Sequence, residues 1–199
     1  MEYLLLAVHI IASITVHEFS HAWAATQLGD PTAKNAGRLS LNPLVHVDPL
    51  GLLMLFLVHF GWGKPTPYNP YNLRNPRLGS LLIAIAGPIS NFLLAIILAF
   101  IAKRLGFAST WGSFFAMGVF INLGLMVFNL LPIHPLDGTK IAAYFIPVRY
   151  HESFERYVQK GPFILIGIIL FERVTNIPIL SPIILGVIER LALVIGLGV

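Results

Sequence analysis

Long apolar stretches alternate with short polar, proline-rich ones along this chain. A helix needs roughly 20 mostly apolar residues to cross a bilayer. Such stretches run over about residues 3–28, 78–102 and 111–131. Gly29-Asp30-Pro31 ends the first of them, a combination that stops helices. A weaker apolar run, Leu50 to Phe60, is too short to span and reads as a re-entrant or half-spanning segment. Two further apolar stretches lie within 161–199, interrupted by Glu172-Arg173 and Glu189-Arg190, which read as interfacial anchors. The pattern predicts one all-α membrane-embedded domain over 1–199, with about five to six transmembrane helices. Gly87-Pro88 inside the second long stretch predicts a kink or local unwinding. Pro65, Pro67 and Pro70 favour extended geometry between the apolar runs.

Composition agrees. Hydrophobic residues make up 56% of the 199 positions, charged residues 11%, and mean hydropathy is +0.79. Soluble domains average about 25% charged residues, so an ordinary soluble enzyme, a disordered chain and a nucleic-acid binder are excluded. The start Met-Glu-Tyr lacks a basic n-region, so the first apolar stretch reads as a retained membrane helix. No cysteine is present, which removes disulfides and thiolate metal sites.

Charge placement suggests an orientation. If 50–60 does not cross, the loops 29–49, 64–77 and 132–160 share one side. They hold Lys34, Arg38, Lys64, Arg74, Arg77, Lys140, Arg149, Arg156 and Lys160, nine of the 13 basic residues. The positive-inside rule puts these loops in the cytoplasm and the N-terminus outside.

The first apolar stretch contains His17-Glu18-Phe19-Ser20-His21, the H-E-x-x-H pattern of zinc metalloproteases. Residues four apart on a helix share a face, so two imidazoles can meet one Zn²⁺ at about 2.0–2.1 Å. Glu18 flanks that face and can work on a water without being a ligand. The ordinary alternative is interhelical hydrogen bonding, but ionisable groups in an apolar span are costly and mark function. A small multi-pass ion or metal transporter would also use such a His/Glu/Asp cluster.

A catalytic zinc takes three protein ligands and leaves one position open. Asp137 is the best third candidate. It follows the third long stretch, in Leu131-Pro132-Ile133-His134-Pro135-Leu136-Asp137-Gly138, where two prolines disfavour regular helix. His134 is a rival that reads better as interfacial, and His46 and His59 stay open. Ser13, Thr15, Ser20, Ser90, Asn91, Asn122 and Asn129 could line a water path from one face to a buried site.

These residues resemble the site-2 protease family of intramembrane zinc metalloproteases, in a minimal form without PDZ or CBS domains. The likeness rests on His17-Glu18-Phe19-Ser20-His21-Ala22, on the loop Gly37 to Gly51, on Gly61-Trp62-Gly63-Lys64-Pro65 to Asn69-Pro70, on Ala86-Gly87-Pro88-Ile89-Ser90-Asn91, and on Asn129 to Gly138. It implies His17, His21 and Asp137 as ligands of one Zn²⁺ and Glu18 as general base and acid. It also implies Asn91 at the substrate or transition state, and Asn129 as a supporting residue. The expected partners are the lipid bilayer and a transmembrane protein substrate, cut within or next to its span.

Overall fold

The computed structural model describes residues 2–58 and 61–197, with side chains over 4–54 and 61–197. Eight α-helices follow in chain order. They are α1 (Glu2–Gln27), α2 (Thr32–Asn35), α3 (Pro49–Val58), α4 (Pro76–Leu105), α5 (Thr110–Asn129), α6 (Asp137–Phe145), α7 (His151–Thr175) and α8 (Leu180–Val194). Among the described residues there is no strand beyond one isolated antiparallel bridge, Val47 to Gly63.

The boundaries follow local chemistry. Asn75 caps α4 by accepting from the Leu78 amide at 3.0 Å, with Pro76 in the first turn. Ser109 caps α5 by accepting from the Gly112 amide at 3.0 Å. Gly29 and Gly106 take φ of +103° and +78°, positions after helix ends that favour glycine. The expected unwinding at Gly87-Pro88 is absent: α4 is helical throughout and holds Pro88 inside it.

Helix α4 packs against α1 on one side and α5 on the other, and α1 also touches α5. Ala84, Ala95, Ala99 and Ala102 of α4 are buried, and side chains this small let helix backbones approach closely. Val119, Leu123 and Val127 of α5 pack with Ile188 and Ala192 of α8. Helix α6 lies against α4. Arg77 at the start of α4 reaches the Tyr144 carbonyl at the end of α6 through Nε, at 3.1 Å.

The short apolar run does not cross. Helix α3 has ten residues, about 15 Å of length against a hydrocarbon core of about 30 Å. The chain also returns to its starting point. A Cβ on Gly51 would sit 2.1 Å from the Trp62 carbonyl oxygen. Val47 pairs with Gly63, and the Lys64 amide donates to the His46 carbonyl at 2.7 Å. Both ends of the excursion therefore lie together.

The span count differs from expectation. Among the described residues, three helices are long and apolar enough to cross: residues Leu4–Gln27 of α1, α4 and α5. The count becomes four if the α7 and α8 pair, bent by 96°, forms one span. The expected five to six crossings are not confirmed, and the first half of α7 carries Glu152, Glu155, Arg156 and Lys160.

One buried carboxylate organises the loop end. Asp30 is fully enclosed. Its Oδ1 accepts from the Thr32 hydroxyl at 2.5 Å, the Thr32 amide at 3.1 Å and Asn72 Nδ2 at 2.8 Å. Its Oδ2 accepts from the Asn69 amide at 2.7 Å. Burial pushes this carboxyl up, and the hydrogen bonds outweigh burial and hold it below the usual carboxylate range.

Candidate metal centre

His17 and His21 stand one turn apart on α1, with ring centroids 4.6 Å apart and planes at 85°. Asp137 is the first residue of α6, delivered by the non-helical turn that follows α5. That turn is tight: a Cβ on Gly138 would lie 2.3 Å from the carbonyl oxygens of Leu130 and Leu131. The three side chains meet although α1 and α6 are far apart in sequence. His17 Nε2 lies 3.0 Å from His21 Nε2. Asp137 Oδ2 lies 3.1 Å from the first and 3.0 Å from the second. All three residues are buried. His17 and His21 sit about 15 Å and 9 Å before the loop end of α1.

The outer nitrogens fix what the inner ones can do. His21 Nδ1 lies 2.7 Å from the Ile83 carbonyl, which only accepts, so Nδ1 carries the hydrogen. His17 Nδ1 lies 2.6 Å from Asn91 Oδ1. Asn91 uses its Nδ2 to donate to the Ser13 carbonyl at 3.2 Å and to Asn122 Oδ1 at 2.9 Å, so its oxygen faces His17 and accepts. As neutral imidazoles, both rings turn a bare Nε2 lone pair toward a carboxylate oxygen. Three acceptors share one point with no hydrogen between them, an arrangement that a cation resolves. A triangle of this size lets one ion sit about 2.0–2.1 Å from each corner.

The backbone of α4 leaves room for it. A Cβ on Gly87 would lie 2.5 Å from His21 Nε2 and 2.6 Å from His17 Nε2. Lys140 Nζ stands 3.5 Å from Asp137 Oδ1, so the two carboxylate oxygens face different partners. This His₂Asp set fits Zn²⁺: two imidazoles, one carboxylate and a place for a fourth ligand. His17, His21 and Asp137 form the one group of potential metal ligands found among the described residues.

Glu18, beside His17, is half-buried. Its Oε2 accepts from the Thr66 amide at 2.8 Å and lies 2.7 Å from the Thr66 hydroxyl. Arg38 is 4% exposed and donates to the Lys64 carbonyl. Burial pushes its guanidinium down, and the charge of Glu18 pulls it back up.

The other expected residues stand elsewhere. Asn91 is fully buried with both ends of its amide engaged, and its oxygen faces His17. Asn129 turns its Nδ2 onto the Leu125 carbonyl of its own helix at 2.9 Å. His134 is outside the metal group, and its backbone packs against Gly161 of α7. His46 commits Nε2 to the Ser40 carbonyl at 2.7 Å. His59 lies outside the described residues. Thr15, Ser20 and Ser90 donate to carbonyls of their own helices. Sequence reasoning missed Gly87 as a wall of the site and Thr66 as the partner of Glu18.

The sequence profile of peptidase family M50 matches residues 101–171, a stretch that includes Asp137. YwhC of Bacillus subtilis, named provisionally as a zinc metalloprotease, is 40% identical over 151 residues, covering 71% of this chain and 69% of YwhC. This chain belongs to peptidase family M50. Rip2 of Mycolicibacterium smegmatis and Rip2 of Mycobacterium tuberculosis, both with the same provisional designation, are 34% and 36% identical over 136 and 138 residues. Each of those matches covers 64% of this chain and 52% of Rip2, so the chain spans about half the length of these relatives. No solved structure matches. As an M50 peptidase the chain is a zinc-dependent hydrolase, and its apolar helices make it a multi-pass membrane protein.

Proposed function

We propose that this M50 peptidase is an endopeptidase that hydrolyses a peptide bond within or next to the transmembrane segment of a membrane-protein substrate. The observation that carries the reading is the meeting of His17 Nε2, His21 Nε2 and Asp137 Oδ2 within 3.0–3.1 Å of one another, buried beneath the loop end of an apolar span. These three residues hold the metal. Zn²⁺, when bound, polarises water and carbonyl groups and lowers the pKa of water toward about 7.

The chain's own groups do the rest. Glu18 takes a proton from the attacking water and returns it to the departing amine, so water and peptide become a carboxylate and an amine. Asn91 and the Ile83 carbonyl orient the two imidazoles and keep their inner nitrogens bare. The surrounding apolar helices exclude bulk water, which strengthens each electrostatic contact inside. A substrate helix must unwind to expose its peptide bond. Glycine or asparagine near the cut lowers that cost. The antiparallel bridge between Val47 and Gly63 supports loops 36–49 and 61–70 as an edge for the extended strand. The fold-back of α3 supports the charge tally that sets the loop end, and the site near it, on the cytoplasmic side.

The test is reconstitution with a panel of single-span membrane proteins, comparing the chain with Glu18→Gln. The expected result is a cut inside or beside the substrate span, lost in the variant while zinc content stays at one per chain. A variant that cuts at the normal rate sinks the assignment of Glu18.

A further inference from the structure

The geometry points to Pro65-Thr66-Pro67 as the element that positions the Glu18 carboxylate, with Thr66 as the residue that grips it. The inference rests on the reading of Glu18 as proton carrier. Proline has no backbone N–H, so across residues 65–67 the amide of Thr66 is the only backbone donor. It is committed to Glu18 Oε2 at 2.8 Å. The Thr66 hydroxyl stands 2.7 Å from the same oxygen and 3.0 Å from the Glu18 carbonyl, and its single hydrogen serves one of them at a time. A residue before proline is confined to extended geometry, so Thr66 has little freedom to turn its amide elsewhere.

The grip is anchored by hydrogen bonds among the loops, with Gly63 resting against Ile14 of α1. The Lys64 amide donates to the His46 carbonyl at 2.7 Å, Arg38 donates to the Lys64 carbonyl, and Gly63 pairs with Val47. His46 and Arg38 are 0% and 4% exposed, so this frame is built into the interior. Glu18 meets a donor that these loop hydrogen bonds hold in place. With Oε2 held by Thr66, Oε1 is the oxygen left to carry the proton. Pre-setting a flexible glutamate in this way is how a proton carrier keeps a reactive geometry.

The competing role is plain docking of the loop onto α1, and a graded series separates the two. The full chain would be purified as Thr66→Ser, Thr66→Val and Thr66→Pro. Zinc content, kcat and KM would be measured on one reconstituted single-span protein with glycine and asparagine in its span. Serine keeps both donors, valine keeps only the amide, and proline keeps neither. We expect kcat within about twofold for serine, down about tenfold for valine and about 100-fold for proline. KM and zinc content should stay unchanged throughout. Wild-type kcat in a zinc-loaded Thr66→Pro chain overturns the proposal, as does a change confined to KM or zinc. Should Thr66→Pro fail to fold, Thr66→Val decides against Thr66→Ser, and equal kcat in the two overturns it. Glu18→Gln run in parallel keeps the failures apart. Activity there removes the proton carrier and this proposal with it. An inactive Glu18→Gln beside a fully active Thr66→Pro removes only the positioning role.

Discussion

Helices α1, α4 and α5 turn their polar side chains toward one another, whereas α7 and α8 carry theirs at ends and on open faces. In the first group Ser13, His17, His21, Asn91 and Asn122 are buried. A single chain of contacts links Asn122 to Asn91, Asn91 to His17, and His17 to Asp137. In the second group Glu189 is exposed and Glu172 is half-buried. Glu172 serves the fold locally: its Oε1 accepts from the amides of Leu180 at 2.5 Å and Ser181 at 3.4 Å, closing the open start of α8. The difference teaches what the buried network is for. Burying polar groups costs unless each finds a partner, and a helix bundle has no structural need for two imidazoles and a carboxylate at one point. The first group carries that cost because the metal site requires it, and the second group shows that the same chain avoids it elsewhere.

The comparison breaks most sharply at glycine. In Gly87→Ala the new methyl would lie 2.5–2.6 Å from atoms of both imidazoles, closer than any real contact. The rings must turn or α1 must withdraw, and either spoils the triangle. We expect zinc affinity to fall by about 10- to 100-fold, read by chelator competition on purified protein, with the helical content retained. A Gly87→Ala chain that holds zinc as tightly as the parent would mean the ion does not sit against α4.

Asp30 tests the frame beneath the site. Two of its four hydrogen bonds tie the end of α1 to residues 69–72, the loop that continues from Thr66, and the other two hold Thr32. Asp30→Asn turns one acceptor into a donor facing another donor and should cost about 1.5–3 kcal/mol, measured by thermal unfolding in detergent. The pH dependence follows in sign. The folded carboxyl lies below the ordinary aspartate range, so its contribution is complete above the ordinary value of about 3.9. It is lost as pH falls through the lower folded value. The asparagine variant should lack this acid-sensitive share, and parallel acid curves for the two proteins would contradict the assigned role of Asp30.

The same contrast explains what the sequence could reveal. The spacing of His17 and His21 on one helix face is a local property, and a chain with nine acidic residues leaves few partners, so Asp137 emerged by elimination. Gly87 did not, because its meaning is a distance to another helix; from sequence, Gly87-Pro88 reads as a kink or local unwinding. Thr66 was hidden for a related reason. The lack of other donors between Pro65 and Pro67 is legible, but the identity of the acceptor is not. Length alone marked residues 50–60 as too short to span, and the return of Gly51 against Trp62 agrees with that reading; the contact itself is invisible to a window average. Glu172 read as an interfacial anchor because its service to α8 depends on a 96° bend.

The smallest effect sharpens the comparison from the other side. Gly167 of α7 and Gly186 of α8 have no heavy atom within 4 Å of a built Cβ, and neither takes a positive φ. Nothing resists a methyl there. Glycine inside a helix is about 0.5–1 kcal/mol less favourable than alanine, so Gly186→Ala should stabilise the protein by up to about that amount, and Gly167→Ala likewise. Zinc affinity and kcat should stay at parental values, since a methyl at either glycine meets no neighbouring group. One chemical change, glycine to alanine, thus destroys a site in α4 and helps a helix in α8. Thermal unfolding in detergent reads the sign directly. If Gly186→Ala instead destabilises the chain or lowers its zinc affinity, the outer face of α8 is packed against something that matters, and the division between a functional interior and an open C-terminal layer fails there.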